Sequence, residues 1–497
     1  MKLLQSEFSI LLLGILAVIA GLVIGNTKIA LLISLLIAIC SFLKKETGLF
    51  FLLLFIPVRP FLITVNPGFK IIGDAIIGLL LIRTIFDYRK DIKKLFSFQP
   101  FEWAFFSFAI IGVVSALITD VSIKAIIFQL RAYFLFYVIY YVVKRMEITN
   151  QTIWKGSIIT FFVAIVLSFQ GIIEKISSKT LLMPQEWQEW VLSPTNRIRV
   201  YGLIKGPNEL SLYLLIAFFI TLYMLKHIQG KLRYAVYAGL TLIGTTILLT
   251  YSRGTLLTLF AFLLVYIASK IQWKQLLQIV SNSQWKQLKH IVGNRQMKQL
   301  IPLVLISFIS GGLFIGVNQA SNVYYDYYLS EDGGLQGKDK DNGIDRYKEA
   351  FGEETIGQSS TSGRIYYVKK AIEIFKDHPI IGTGFGTFGG AATITYSSPV
   401  YEKYHIDRNF YSDNQYILIL AETGILGILS IFMVGFFLLS TIMKNRDKVY
   451  GPLLIYFFVA LIVGSSVYNI LENDSFMMYF YLLFAIAYQK SKSVSNP

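Results

Sequence analysis

The chain has 497 residues, 55% of them hydrophobic and only 15% charged, with a mean hydropathy of +0.58. A soluble domain carries about 25% charged residues, so this composition excludes an ordinary soluble globule and indicates an integral membrane protein. The net charge of +16 does not indicate nucleic acid, because the positive residues sit in short stretches between apolar runs; the one cysteine, Cys40, lies inside such a run and excludes an intrachain disulfide framework or a cysteine metal site.

The apolar runs are continuous rather than alternating, which predicts helices and not a membrane barrel. In chain order they cover 8–25, 28–43, 48–65, 71–86, 103–119, 125–143, 153–174, 207–225, 233–250, 255–269, 300–318, 414–443, 452–469 and 475–488. The expected fold class is therefore an all-α polytopic membrane protein of about 12–14 transmembrane helices, with one long extracytoplasmic loop containing short helices. Lys2 leads into the first run with no small-residue cleavage site, which predicts a retained helix rather than a signal peptide. Residues 1–318 hold the first eleven helices, an outer loop at 175–206 and a basic segment at 270–299. The long loop spans 319–412, and the C-terminal helices occupy 413–497.

Orientation follows from charge. With the N-terminus inside, the inner segments collect clusters such as Arg83, Arg89, Lys90, Lys93 and Lys94, or Lys444, Arg446 and Lys448. The short outer loops hold only Lys28, Lys70, Lys124 and Arg253. The positive-inside rule then places both termini in the cytoplasm and exports the 319–412 loop, whose acidic residues outnumber its basic ones. The expected location is the cytoplasmic (inner) membrane. The basic segment contains a repeat, with the Trp-Lys-Gln-Leu start at Trp273 recurring at Trp285, and reads as an amphipathic helix on anionic lipid.

Several outer positions could carry chemistry. Arg253, in Tyr251-Ser252-Arg253-Gly254, sits in a turn too short to be a solvated loop, and an arginine fork suits a phosphate or pyrophosphate group. The 175–206 loop ends in a second cationic patch, Arg197, Arg199 and Lys205, followed by Gly206-Pro207-Asn208-Glu209, a turn that starts a helix with Asn208 as a capping candidate. In the long loop, Arg364 to Phe375 has the spacing of an amphipathic helix, ended by Asp377-His378-Pro379. Gly384 to Gly389 then matches the dinucleotide pattern G-x-G-x-x-G, but on an exterior face outside any strand–turn–helix unit. It is expected instead to be a flexible turn close to lipid or glycan. Tyr324, Tyr325, Tyr327 and Tyr328 read as an interface belt or a surface for sugar rings. Asp413, beside Asn414, is both a helix N-cap candidate and, in a low-dielectric pocket, a candidate general base; His405 is its rival.

Three motifs together resemble the bacterial O-antigen ligase and polymerase family: Tyr251-Ser252-Arg253-Gly254; Gly363-Arg364 with Asp377-His378-Pro379-Ile380-Ile381-Gly382-Thr383-Gly384-Phe385-Gly386; and Asp413-Asn414 before Ala421-Glu422-Thr423-Gly424-Ile425-Leu426-Gly427. Gly206-Pro207-Asn208-Glu209 is similar to an upstream turn of that family. The resemblance implies a glycosyltransferase that uses undecaprenyl-pyrophosphate-linked oligosaccharide donors outside the cytoplasmic membrane, with neither metal nor cofactor. It also implies that Arg253 and Arg364 engage the pyrophosphate. In the ligase branch a histidine stands where this chain has Asp413, which favours the polymerase branch. On this reading Asp413, Arg253 and Arg364 are the catalytic candidates; Arg197, Arg199, Lys205, Asn208, His405 and Asn414 are the substrate-binding ones. Expected partners are the lipid-linked oligosaccharide, membrane lipids, and a flippase and chain-length regulator of the same pathway. The alternatives are transfer of finished glycan to another acceptor, and a flippase for the same lipid-linked substrate.

Overall fold

The computed structural model describes residues 7–192, 194–204, 206–270, 294–328, 363–446, 448 and 450–495, and among them the regular structure is helical with no strand. The chain forms two compact units, residues 1–159 with 347–497, and residues 160–346. The first unit begins with α1 (Glu7–Ile24), α2 (Thr27–Leu43), α3 (Lys45–Phe55), α4 (Arg59–Val65), α5 (Ile72–Tyr88), α6 (Pro100–Ile118) and α7 (Ile123–Val143). α8 (Asn150–Ile176) carries the chain into the second unit, which adds α9 (Pro207–Leu225), α10 (Leu232–Leu249), α11 (Arg253–Lys270) and α12 (Asn294–Tyr328). The first unit resumes with α13 (Arg364–Asp377), α14 (Ala391–Tyr396), α15 (Gln415–Asn445), α16 (Gly451–Gly464) and α17 (Asp474–Ser495).

Every apolar run falls on a helix. Among the described residues eight helices are long and apolar enough to cross a bilayer: α1, α6, α7, α8, α9, α10, α12 and α15. α3 and α4 meet the same test as a pair bent by 74°, and α2, α11 and α16 are shorter apolar helices. Outward-facing Leu16, Phe162, Phe260 and Phe308 are exposed, as side chains facing acyl chains should be. α12 continues to Tyr328, so the first residues of the 319–412 stretch, expected to be loop, extend a helix. The basic repeat starting at Trp273 and Trp285, and the stretch 329–362, lie outside the described residues.

In the first unit α15 packs along α6, α17 along α7, and α2 along α5. Charges inside apolar runs are paired across helices, as the low dielectric demands. Arg131 of α7 makes a forked contact with Asp74 of α5 at 2.6 and 3.0 Å, and Arg59 of α4 meets Asp474 of α17 at 3.0 Å. Glu102 of α6, fully buried, takes Lys144 Nζ at 2.5 Å and the Tyr137 hydroxyl at 2.6 Å. In the second unit α10 packs against α9 and α12.

Candidate active site

The Ala421–Gly427 motif is where α15 breaks. Gly424 adopts φ 57°, ψ −157°, a backbone state that only glycine reaches without strain. The break releases backbone groups that a straight helix would use internally, and the segment after α13 satisfies them. Ile425 N donates to Pro379 O at 2.9 Å and Leu426 N to Ile380 O at 3.1 Å. In return Thr383 N donates to Ala421 O at 3.0 Å and Gly384 N to Glu422 O at 2.7 Å. The same segment docks on α6: Phe385 N donates to Gly112 O at 3.0 Å, and the Ser115 hydroxyl to Gly382 O at 2.7 Å. Gly384, at φ 95°, lies so close to α6 that a Cβ would stand 2.0 Å from Ala116 N.

The fully buried Glu422 carboxylate closes this clasp. Its Oε1 accepts the N–H groups of Gly386, Thr387 and Phe388 at 2.9, 3.0 and 3.1 Å. Successive N–H groups converging on one point make a nest, and here a side-chain oxygen of the protein fills it. The glycine pattern is therefore not the flexible turn expected from the sequence. It is a buried joint between α6 and the broken α15.

That joint positions the corner where the long loop returns to the membrane. Asn414 caps α15, its Oδ1 accepting Tyr416 N at 3.0 Å and Ile417 N at 3.3 Å. The cap is thus one residue later than the Asp413 candidate. Asp413 instead faces Arg364, whose Nε and one terminal nitrogen donate to Asp413 Oδ2 at 3.3 and 3.0 Å. The two side chains are 56% and 43% exposed, so the described residues do not enclose Asp413 in the low-dielectric pocket expected for it. Arg364 is the first residue of α13, and that helix buries Ala371 and Ile374 in a cluster with Phe388, Tyr401, Tyr404, Ile406, Phe410 and Ala421. Tyr367 stacks on Phe410 at 3.7 Å between ring centres.

His405 is exposed at φ 50°, and its carbonyl accepts the Tyr366 hydroxyl at 3.0 Å. His378 follows the end of α13. Burial and the Lys403 ammonium hold its imidazole below the usual histidine range. Next to it, hydrogen bonds from Tyr404 and Lys403 hold the Asp377 carboxyl low.

Glu472, which the sequence reading missed, belongs to the same end of this unit. It lies in the turn before α17, half-buried, and accepts Gln129 Nε2 of α7 at 2.5 Å and Ala391 N of α14 at 2.9 Å. The Tyr411 hydroxyl also hydrogen-bonds it, and burial, the largest influence, pushes its carboxyl up to about 7. Gly389 O ties this turn to the Asp413 corner, accepting both Asn469 Nδ2 at 3.1 Å and Ser412 N at 2.7 Å. No local sequence pattern singles Glu472 out, because its partners lie on distant segments.

The second unit holds the other candidates. At the end of α8, buried Glu174 pairs with Lys179 and accepts Tyr201 N at 2.9 Å and Gly202 N at 2.7 Å. Burial lowers the Lys179 ammonium, and Glu174 opposes that shift. Arg199 donates to Thr250 O at 2.8 Å, Asn208 Oδ1 at 2.5 Å and Asn196 Oδ1 at 3.4 Å. Asn208 follows Pro207 in the first turn of α9 and does not cap it; Gly206 occupies the cap position. Its Oδ1 also accepts the Ser252 hydroxyl at 3.2 Å. Ser252 and Ser211 both contact Thr255 Oγ1, at 3.1 and 2.6 Å. Buried Tyr251, at φ 52° with its hydroxyl on Asn318 Oδ1 at 3.1 Å, reverses the chain. Arg253 then starts α11, exposed. Arg197 donates within its own loop, to Leu192 O at 3.0 Å. Lys205 lies outside the described residues. The structure thus gathers Arg199, Asn208 and Ser252 in one network, and in the first unit joins Arg364 to Asp413.

A multi-pass membrane protein, helical throughout its described residues, in which an exposed arginine stands beside a glycine-braced broken helix is the class these observations define. Residues 238–432 match the family model described as O-antigen ligase, which supports a place for this stretch in the O-antigen ligase/polymerase family. The matched range holds Arg253, Arg364, His405, Asp413 and Asn414, and ends before Glu472. None of the curated proteins compared with the chain matches it.

Proposed function

We propose that the protein is a polysaccharide polymerase of the cytoplasmic membrane. It moves a growing glycan from an undecaprenyl-pyrophosphate carrier onto the non-reducing end of a lipid-linked repeat unit, on the extracytoplasmic face. The products that fit are capsule, O-antigen, other exopolysaccharide or teichuronic acid. The observation that carries the reading is the exposed Arg364–Asp413 pair inside the family-matched range. A guanidinium resting on one exchangeable carboxylate suits a pyrophosphate leaving group, whose developing charge needs a fixed cation. Arg253 is assigned the same kind of contact, and Arg197, Lys205, Asn414 and His405 contacts to sugar and phosphate, while Arg199 and Asn208, bonded to each other, brace the corner of the second unit. Fixed cations supply the charge stabilisation without a metal. Aspartate rather than histidine before Asn414 favours polymerisation over ligation. A flippase and a chain-length regulator are the partners this role calls for.

The ligase reading, transfer of finished glycan to another acceptor, is supported by the description of the matched family model. The flippase reading is disfavoured because Arg59 and Arg131, the charges a translocation path would use, are already paired with Asp474 and Asp74.

Purified protein in liposomes with lipid-linked repeat units separates the three readings. Polymerisation predicts longer lipid-linked glycans and stoichiometric release of undecaprenyl pyrophosphate. Release only when a different acceptor is added supports the ligase; translocation without release contradicts both enzyme readings.

A further inference from the structure

We propose that Glu472, reached through the Tyr411 hydroxyl, is the base that takes the proton from the attacking sugar hydroxyl. The proposal rests on the glycan-transfer reading above. In the step, the acceptor oxygen forms a bond to the anomeric carbon while the bond from that carbon to the pyrophosphate oxygen breaks. The electron pair leaves with the undecaprenyl pyrophosphate. The acceptor's proton passes to the Tyr411 oxygen as the Tyr411 proton passes to Glu472.

Three geometric observations carry this assignment. First, Glu472 is held in place by Gln129 Nε2 at 2.5 Å and Ala391 N at 2.9 Å, both donors to its carboxylate. Second, Tyr411 bridges it to the surface: this ring is 43% exposed, its hydroxyl bonds Glu472, and it lies two residues before Asp413. Third, the rival bases are less suited. Asp413 and His405 both stand open to solvent, without the two fixed donors that hold Glu472. The tuning agrees, since a base works best with a pKa near the working pH, and Glu472 lies at about 7. The charged and titratable groups that face it are Asp474 at the start of α17, Tyr133 on α7, Glu422 on α15 and Tyr411; Arg59, Arg131 and Asp74 face Asp474.

The test measures undecaprenyl pyrophosphate release by the reconstituted full-length protein between pH 5.5 and 8.5. Wild type should rise about tenfold per pH unit and level off above about 7. Glu472→Gln should lose about 100-fold or more in kcat, flatten that rising limb, and leave the donor KM within about threefold. Glu472→Asp should keep a limb with a displaced midpoint. A Glu472→Gln enzyme with near-wild-type kcat, or with the limb intact, overturns the proposal. If the Glu472 variants fail to reach wild-type membrane levels, Tyr411→Phe decides, and an unchanged kcat there overturns it equally. Wild-type protein that releases no undecaprenyl pyrophosphate would instead sink the glycan-transfer reading, before any variant is compared.

Discussion

Two arginine-bearing corners, one in each unit, hold their cations in opposite ways. In the second unit Arg199 is spread over Thr250 O, Asn208 Oδ1 and Asn196 Oδ1, beside a Glu174–Lys179 pair whose carboxylate is wholly buried. In the first unit Arg364 rests on a single oxygen of Asp413, with both partners largely open to solvent. An arginine satisfied by backbone and amide oxygens is framework, because removing it strands several acceptors. An exposed ion pair contributes only about 0–1 kcal/mol, so a pyrophosphate with more charge and more acceptor oxygens can displace Asp413. The contrast sorts the arginines of this chain into those that build the site and those that can bind a substrate.

The sharpest way to break that contrast is to disturb the joint under the exposed pair. Glu422→Ala strands three buried N–H groups, each costing on the order of 1–3 kcal/mol. It should cut membrane levels and thermal stability strongly, whereas Glu422→Gln, which keeps an oxygen for Gly386, Thr387 and Phe388, should restore much of both. Equal loss in the two variants would contradict the nest. Arg199→Ala should come next, with the unfolding free energy lowered by on the order of 2–3 kcal/mol; a variant as stable as wild type but unable to bind donor would move Arg199 to the substrate-binding class. Asp413→Asn should have the smallest effect. It weakens the hold on Arg364 and should leave stability unchanged within about 1 kcal/mol, with the donor KM unchanged or a few-fold lower. A rise in KM would mean that Asp413 itself meets the donor.

Much of this was legible in the sequence. Long apolar runs identify their helices because a bilayer leaves the backbone no other partner, and all of those runs are helical. The amphipathic spacing from Arg364 also gave α13 almost to its last residue. What local pattern could not supply was the identity of distant partners. The glycines at 384, 386 and 389 signal a close approach, but Glu422, whose side-chain oxygen fills the nest, lies 36 residues beyond Gly386. Asp413 and Asn414 are both good caps, and only packing chooses Asn414. Asn208 looks like a cap by position and is a hub by contact, because Arg199 and Ser252 converge on it from two other segments. Glu472 was invisible for the same reason, since its partners Gln129 and Ala391 are 343 and 81 residues away.

The central claim is that an exposed, exchangeable arginine binds the donor's pyrophosphate while the buried network only supports it. Reconstituted Arg364→Ala, compared with wild type for both thermal stability and undecaprenyl pyrophosphate release, tests it most directly. The account predicts an unfolding free energy within about 1 kcal/mol of wild type and release slowed by about 100-fold or more, with Arg253→Ala behaving alike. Near-wild-type release from a normally folded Arg364→Ala protein would contradict it.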